Sequence, residues 1–322
     1  MIPLYALSVH VVEPFTLDDY LEYARSNKHV FIGNTRIELK PMKVTRLEPR
    51  EDELGEVYGT IWSFPRRGRW ATHRSDYRGN WPPQVPRLLI SLYTKPDAAI
   101  LDPMMGSGTT CIEALLLGRR CIGVDINRQA LVLAWHRLYS LALRLDPSNP
   151  EKPLAGISIY QGDARNLDQI GENAVDLVAM HPPYWRAVRY TSGIEGDLSS
   201  EKSMRRYLQG ISRAAWEAYR VTRPGGHLAV LIGDSRRKRH YVPVSYYVLS
   251  RLLEPGFILR EEIIKIQHRM KDTRVYWERY ERSFLMIKHE KLYILRKPLY
   301  EGEERRYRYS TRRSRSTGTS RL

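Results

Sequence analysis

The strongest constraint on the fold is a regular alternation of short apolar runs with helix-length segments, which begins near residue 98. The runs have the length and composition of buried strands and lie at residues 98–101, 120–124, 157–160, 175–180 and 227–232. Segments with helix start and stop signals lie at residues 109–117, 128–143, 200–221 and 244–253. Strands that alternate with helices predict an α/β fold with a doubly wound, mostly parallel sheet. Further runs at 257–267 and 283–296 predict an antiparallel pair that completes this sheet.

Polar side chains follow four of the predicted strands at the point where each strand ends. They are Asp102, Asp125, Asp163 and His181. Because ligands of open parallel sheets bind at the carboxyl ends of the strands, we expect these four residues to meet at one edge. Between the first strand and its helix, Gly106 and Gly108 allow the backbone to approach a ligand closely and the helix N-terminus to face it.

The composition of this glycine loop narrows the choice of ligand. The loop lacks the Gly-Lys-Ser/Thr of a triphosphate site and the third glycine of the dinucleotide fingerprint. Asp125, at the end of the next strand, has the position of a carboxylate that accepts hydrogen bonds from ribose hydroxyls. A ligand with a ribose, an adenine and a carboxylate but no phosphates fits best, and S-adenosylmethionine has these groups.

A second loop, His181-Pro182-Pro183-Tyr184-Trp185, follows the apolar run 175–180. Each proline fixes its φ near about −65° and removes a backbone donor, and the residue before each proline is held extended. The loop is therefore stiff, and it presents unpaired carbonyls beside a flat aromatic ring. Such a loop can hold a planar ring that carries an amino group; a plain strand-to-loop junction is the alternative.

The charge of the chain points to a polyanionic partner. The 322 residues carry a formal net charge of +16, which favours nucleic acid. No apolar run approaches the length of a membrane span, and no signal peptide is recognisable. Cys111 and Cys121 give neither a disulfide framework nor a zinc spacing, so we expect buried, reduced thiols in a cytoplasmic protein.

Residues 61–94 interleave basic and aromatic side chains, as in proteins that stack on bases and hold phosphates. The aromatic residues are Trp62, Phe64, Trp70, Tyr77 and Trp81, and the basic ones are Arg66, Arg67, Arg69, Arg74 and Arg78. An aromatic-rich lid is the alternative interpretation. The densest basic run, at 236–240, can hold backbone phosphates or form a solvated turn.

Four stretches together resemble the DNA amino-methyltransferases of restriction–modification systems. Residues 101–110 are similar to the cofactor motif Asp-Pro-Phe-x-Gly-Ser-Gly-Thr-Thr, and residues 123–127 to the Gly-x-Asp-x-Asn that follows it. Residues 162–165 match the element whose aspartate meets the adenine of the cofactor. His181-Pro182-Pro183-Tyr184 resembles the catalytic (Asp/Asn/Ser)-Pro-Pro-Tyr loop. The resemblance covers roughly residues 60–297.

The resemblance implies a seven-stranded methyltransferase sheet with an antiparallel last strand, S-adenosylmethionine as cofactor, and no metal. The cofactor residues that it implies are Asp102, Pro103, Met104, Gly106, Gly108, Thr109, Thr110, Asp125, Ile126, Asp163 and Ala164. The catalytic residues that it implies are His181, Pro182, Pro183 and Tyr184. The target base would be turned out of double-stranded DNA into the pocket, where its amino group would meet the first loop residue and the Pro182 carbonyl, with Tyr184 stacked on the ring.

His181 departs from this pattern, since the family carries Asp, Asn or Ser at that position. Neutral imidazole accepts a hydrogen bond through one nitrogen only. We therefore expect methyl transfer to fall as His181 is protonated near its ordinary pKa of about 6.5.

The sequence leaves the target and the domain roles open. It favours methylation of cytosine N4 or adenine N6 in DNA, with Trp185 favouring cytosine, and a cognate restriction endonuclease as a candidate partner. The alternatives are an RNA base amino-methyltransferase and a non-catalytic nucleic-acid-binding relative. We expect an N-terminal segment without assigned role at 1–58, a catalytic domain at 59–300 and a basic, disordered tail at 301–322. Target recognition is expected from residues 186–199 and 267–271, and the oligomeric state is not predicted.

Overall fold

The computed structural model describes residues 12–55, 57–186, 190–191, 193–268 and 284–312. Its strands are β1 (Glu13–Pro14), β2 (His29–Ile32), β3 (Thr35–Glu38), β4 (Ile61–Ser63), β5 (Ala99–Asp102), β6 (Arg120–Asp125), β7 (Ile157–Gln161), β8 (Val175–Met180), β9 (Thr222–Ile232), β10 (Ser235–Arg237), β11 (His240–Val242), β12 (Ile258–Ile266) and β13 (His289–Arg296). Its α-helices are α1 (Leu17–Ser26), α2 (Gln84–Tyr93), α3 (Thr109–Leu116), α4 (Arg128–Leu145), α5 (Glu151–Leu154), α6 (Met204–Val221) and α7 (Val244–Leu252).

Nine of these strands form one sheet, in the order β1-β7-β6-β5-β8-β9-β13-β12-β4. Strands β5 to β9 pair in parallel, and β13 runs antiparallel to both of its neighbours, β9 and β12. The predicted α/β fold with an antiparallel last strand is confirmed. The two edge strands are additions that the sequence did not predict: β1 pairs with β7, and β4 pairs with β12.

Helices cover both faces of the sheet, because the central strands are apolar on both sides. Ile100 of β5 and Leu177 of β8 face the layer that contains α2, α3 and α4. Leu101 and Val178, one residue further along, face the layer of α6 and α7. This alternation follows from the two-residue period of a strand. Helix α2 begins at Gln84 and contains Pro86, since proline is tolerated in the first turn of a helix.

The N-terminal segment packs against the outer side of α4. Helix α1 begins with a capping box in which the Thr16 side chain accepts from the backbone of Asp19. Phe15, 1% exposed, lies in the same apolar cluster as α4, and its carbonyl accepts a hydrogen bond from Trp135 Nε1 at 2.7 Å. The Tyr20 hydroxyl lies 2.9 Å from His136 Nδ1. The segment thus contributes to the core next to the sheet.

The start of the predicted tail is folded. Arg296 and the buried Glu303 form a bidentate ion pair with both distances at 2.9 Å, and the Leu259 amide donates to the Ser310 carbonyl at 2.8 Å. The expectation of a disordered segment is therefore wrong for residues 301–312, because Glu303 fixes them to β13. Residues 313–322, with the remaining arginines of the tail, lie outside the described residues.

The two cysteines form a disulfide, Cys111–Cys121, which contradicts the expectation of reduced thiols. Both are buried, as predicted from their apolar surroundings. Cys111 lies on α3 and Cys121 on β6, and the fold packs these consecutive elements against each other with the two Cα atoms 5.3 Å apart. A separation of 10 residues could not reveal this pairing, because it arises from how the helix folds back onto the sheet.

The aromatic residues of segment 61–94 are core residues. Trp62, Phe64, Trp70, Tyr77 and Trp81 are all at most 7% exposed. They are therefore not free to stack on bases in the manner of an exposed platform, and the lid interpretation fits better.

Candidate active site

A cavity opens at the carboxyl edge of β5, β6, β7 and β8. The predicted site residues that line it are Asp102, Pro103, Met104, Gly106, Thr109, Asp125, Ile126, Asp163, Ala164, His181 and Pro183. Pro182 and Tyr184 line an adjoining cavity, which shares His181 and Trp81 with the first. The structure thus brings most of the predicted cofactor residues and the predicted catalytic loop to one place.

The glycine loop forms the floor of this cavity. Gly106 has a φ of +50°, and a side chain there would start 3.1 Å from the ring of Tyr77. Its amide donates to Asp125 Oδ2 at 2.8 Å, which ties the loop to the end of β6. Gly108 and Thr110 lie behind the cavity wall: Gly108 packs on Ala134 of α4, and the Thr110 hydroxyl donates to Asp102.

The carboxylate of Asp102 is buried and that of Asp125 is partly buried, and burial changes the titration of both. Burial raises the pKa of Asp102 to about 7, against the opposing hydrogen bonds from Thr110 and from the Met104 amide. Burial likewise raises the pKa of Asp125 to about 6, against hydrogen bonds from the Asn127 and Gly106 amides. Because burial disfavours the charged form of both carboxylates, this cavity wall favours a ligand that carries hydrogen-bond donors or positive charge.

The remaining polar groups of the cavity also suit such a ligand. The Thr109 hydroxyl is buried and has no hydrogen-bond partner among the described residues. Asp163 lines the cavity beside Ala164, although Arg165 holds both of its oxygens, with Nε 2.9 Å from each. Ribose hydroxyls and an ammonium group could satisfy the open acceptors and the unpaired hydroxyl. The residues present therefore fit S-adenosylmethionine.

Two aromatic residues close the cavity from above. Tyr77 and Tyr190 stack with ring centroids 5.8 Å apart and an interplanar angle of 12°. Beneath them, the fully buried Arg137 donates to Ser107 Oγ of the glycine loop at 2.7 Å and pairs with Asp76. Arg137 thus joins the glycine loop to the segment that covers it. Arg137 was not predicted from sequence, because it lies in the middle of helix α4 and belongs to no recognisable motif.

A buried carboxylate holds the covering segment to α3. Glu113 Oε1 accepts from Trp70 Nε1 at 2.7 Å and lies 2.6 Å from His73 Nε2, while Oε2 pairs with Arg87 at 2.9 Å. Burial lowers the pKa of His73, so this histidine is neutral and the pairing with Arg87 carries the charge. The four side chains fix residues 70–87 over the glycine loop.

The predicted catalytic loop belongs to a hydrogen-bonded network that was not predicted from sequence. His181 Nε2 lies 3.0 Å from the Tyr184 hydroxyl, which donates to Glu290 Oε1 at 2.5 Å. Glu290 Oε2 pairs with Lys265 at 2.6 Å. Glu290 and Lys265 lie more than 80 residues beyond the loop in sequence, on β13 and β12, so no local motif contains them.

The ring of His181 is enclosed by aromatic side chains. It stacks on Trp81 with centroids 5.3 Å apart and an interplanar angle of 8°, and it meets Tyr184 edge-on. Burial, with the charges of Lys265 and Arg67, lowers the pKa of His181 to about 4, although Glu290 acts in the opposite direction. The expectation of titration near 6.5 is therefore wrong, because it assumed a solvated imidazole.

Other parts of the predicted site have different roles or cannot be described. The Pro183 carbonyl accepts from the buried Tyr207 hydroxyl at 2.9 Å, which anchors the loop to α6. Trp185 is 6% exposed and packs in the core, so it gives no information about the target base. Of the expected recognition residues, 187–189, 192 and 269–271 lie outside the described residues.

Comparison with known proteins gives one family. The family model described as DNA methylase matches residues 17–135 and 175–319. Among curated relatives, the type II methyltransferase M.ScaI of Streptomyces caespitosus is 35% identical over 96 residues, which are 29% of this chain and 32% of that protein. The tRNA (guanine(10)-N2)-dimethyltransferase of Methanothermobacter thermautotrophicus is 26% identical over 194 residues, 60% of this chain and 47% of that protein. The chain spans about half or less of the length of these relatives.

Among solved structures, TrmN from Thermus thermophilus is 21% identical with a TM-score of 0.42, covering 68% of this chain and 50% of that protein.

Proposed function

Because this chain belongs to the DNA methylase family, we propose that it transfers a methyl group to an exocyclic amino nitrogen of a DNA base, cytosine N4 or adenine N6. The observation that carries the proposal is the junction of two cavities at His181 and Trp81. One cavity has the glycine loop and the carboxylates of a cofactor site. The other has the catalytic loop and opens beside it, where a base turned out of the duplex would lie.

The cofactor is S-adenosylmethionine, which supplies an electrophilic methyl group bound to a positively charged sulfur. On the protein side, Asp125 at the end of β6 offers an acceptor to ribose hydroxyls, and Asp102 offers one to an ammonium group. The positive φ of Gly106 keeps the floor of the site free of side-chain atoms. These residues hold and orient the cofactor.

The catalytic loop prepares the amino group for attack. The nitrogen lone pair of such an amine is delocalised into the ring, so hydrogen-bond acceptors on the amine hydrogens favour its localisation toward the methyl group. His181 and the Pro182 carbonyl are the acceptors that we assign to this role. The Tyr184 ring, held by Glu290 and packed against Gly233, would stack on the base. Positioning and electrostatics then drive direct transfer.

Double-stranded DNA is the substrate that we propose, and the charge of the chain supports it. The formal net charge of +16 favours binding to a phosphate backbone. A cognate restriction endonuclease remains the candidate partner. RNA is the second candidate substrate, since a matched relative is named as a tRNA guanine-N2 dimethyltransferase.

Labelled cofactor distinguishes these substrates. We expect methyl label to enter unmodified genomic DNA, and mass spectrometry of the nucleosides to identify N4-methylcytosine or N6-methyladenine. Asp125→Ala serves as the control, since it removes the proposed ribose acceptor. Label in RNA alone would move the assignment to the second candidate, and cofactor binding without transfer to any nucleic acid would indicate a non-catalytic relative.

A further inference from the structure

Three elements contribute to one hydrogen-bonded chain behind the catalytic loop. Lys265 of β12 and Glu290 of β13 are directly paired across the antiparallel ladder, and their side chains are 12% and 8% exposed. Glu290 accepts from the Tyr184 hydroxyl, which in turn lies 3.0 Å from His181 Nε2. A buried ion pair of this kind costs solvation energy, so its presence beside the loop calls for a reason beyond stability.

The donors and acceptors of this series of hydrogen bonds fix the tautomer of His181. Burial raises the pKa of Glu290, but Lys265, His181 and the hydrogen bonds from Lys265 and Tyr184 outweigh it, so the pKa lies below the ordinary value and the carboxylate is charged. A carboxylate only accepts, so the one hydroxyl proton of Tyr184 points to Glu290. The tyrosine oxygen must then accept from His181, and Nε2 carries the proton. In a neutral imidazole this leaves a lone pair on Nδ1.

On the basis of the proposed function, we propose that His181 accepts at Nδ1 the proton that leaves the substrate amine. The Tyr184–Glu290–Lys265 chain is the positioning device that keeps Nδ1 unprotonated and stabilises the imidazolium as it forms. As the amine nitrogen gains its bond to carbon, the carbon–sulfur electron pair returns to sulfur and neutralises the sulfonium. The nitrogen–hydrogen electron pair stays on nitrogen, the proton moves to Nδ1, and water takes it up before the next turnover.

The surroundings of His181 suit a transient proton acceptor. Glu290 on β13 favours the charged ring, while Lys265 on β12 and Arg67 in segment 61–94 disfavour it. Trp81 stacks on one face and restricts the ring to its plane. An amine that has just gained a methyl group on an aromatic ring is strongly acidic, so a weak base suffices and releases the proton readily. Asp, Asn or Ser at this position would supply an acceptor without an imidazole.

Nitrogen NMR of the full chain tests the tautomer without any turnover. With ¹⁵N-labelled histidine, we expect His181 in the wild type to be neutral between about pH 5.5 and 8 and protonated at Nε2, since its pKa of about 4 lies below this range. Glu290→Gln removes the charge that favours the imidazolium, so the pKa of His181 should fall further. The new amide can donate to the Tyr184 oxygen, so the tyrosine no longer has to accept from Nε2, and both tautomers of His181 become populated. Glu262→Gln is the matched control, because Glu262 pairs with Lys291 on the same two strands but is exposed.

Kinetics complete the test. Glu290→Gln should lower kcat by about 10- to 100-fold with little change in KM for DNA, since general-base catalysis contributes on the order of 10²–10⁴-fold. Tyr184→Phe, which breaks the chain at its middle, should mix the tautomers in the same way if Glu290→Gln does not fold.

Two results would overturn the proposal: a wild-type His181 protonated at Nδ1, or a Glu290→Gln enzyme whose His181 signals and kcat match those of Glu262→Gln. If the expected tautomer is found but no nucleic acid is methylated, the proposed function fails as well, and only the hydrogen-bonded chain stands. The two failures are thus separable.

Discussion

If Asp102 and Asp125 hold the cofactor as proposed, they link its binding to pH. Their pKa values of about 7 and about 6 are raised by burial, so both carboxylates gain a proton as pH falls through this range. The cofactor carries positive charge and hydroxyl donors, and it binds the charged carboxylates more favourably. Binding must therefore lower these pKa values and release protons.

We predict that the affinity for S-adenosylmethionine rises between about pH 5.5 and 8, by up to about tenfold for each unit by which binding lowers a pKa. Raised carboxylate pKa values also mean that the free protein loses stability as pH rises from about 4 toward 7, since the unfolded chain ionises first. Cofactor-induced thermal shifts should accordingly grow with pH. Calorimetry at several pH values checks this, with Asp102→Asn as the variant that should flatten the curve. A wild-type affinity independent of pH would contradict the prediction.

Glu113 is the residue on which the lid over the glycine loop depends. Its replacement by Gln leaves Arg87 without its buried partner and weakens the contacts to Trp70 and His73. Removing one partner of a buried ion pair costs about 3–5 kcal/mol. We expect Glu113→Gln to lower the free energy of unfolding by about this amount, as measured by urea denaturation. Glu48→Gln removes the exposed partner of the same arginine and should change it by less than about 1 kcal/mol.

The hairpin of β10 and β11 is built in an unusual way. Arg237 pairs with His240, and the two residues between them, Lys238 and Arg239, have φ values of +48° and +68°. Such turns favour Asn-Gly, because a left-handed conformation costs other residues about 1 kcal/mol or more each. Two exposed basic residues at a strained tip support the interpretation of run 236–240 as a phosphate contact.

Replacing the two tip residues by Asn-Gly removes their charges while keeping the turn. We predict that Lys238→Asn/Arg239→Gly stabilises the protein slightly, because the strain is relieved, yet weakens DNA binding. The plot of log affinity against log salt should become less steep by about 1.8, since each phosphate contact contributes about −0.9 to its slope. Arg25→Gln/Lys28→Gln, which removes two exposed charges at the end of α1, is the matched control. Equal salt slopes for the two variants would assign the hairpin to a solvated turn.

The central strands of the sheet could be predicted from the sequence, whereas its edge strands could not. The strands from β5 to β8 were predicted to within one residue of their ends, because buried parallel strands are short apolar runs between glycines and polar residues. The edge strands β1 and β4 were missed, since two or three residues carry no periodicity. Three aspartates and Gly106 that line the cavity follow strand ends, so the sequence could single them out. Glu290 and Lys265 were not, because only strand pairing brings them to His181.

The N-terminal segment decides whether the whole molecule unfolds as one unit or as two. The sequence suggested a boundary at residue 58, yet Phe15, Tyr20 and Val30 lie in one cluster with the residues of α4. This packing favours a single cooperative unit that includes the N-terminal segment. We propose that the catalytic domain does not fold stably without it.

A pair of phenylalanines in this segment tests that proposal. Phe15 is 1% exposed and is packed under Arg128 with its guanidinium 4.8 Å from the ring, whereas Phe31 is 50% exposed. We expect Phe15→Ala to lower the free energy of unfolding by about 3–5 kcal/mol, with the whole chain unfolding in one transition, because a buried cavity is left beside α4. Phe31→Ala should cost less than about 1 kcal/mol, since its ring is already half in water. Urea denaturation measures both, followed by tryptophan fluorescence, to which the seven tryptophans of the chain contribute, and by cofactor binding, which reports on the site. Two separate transitions, with cofactor binding intact after the first, would make residues 1–58 an appended domain instead of part of the catalytic core.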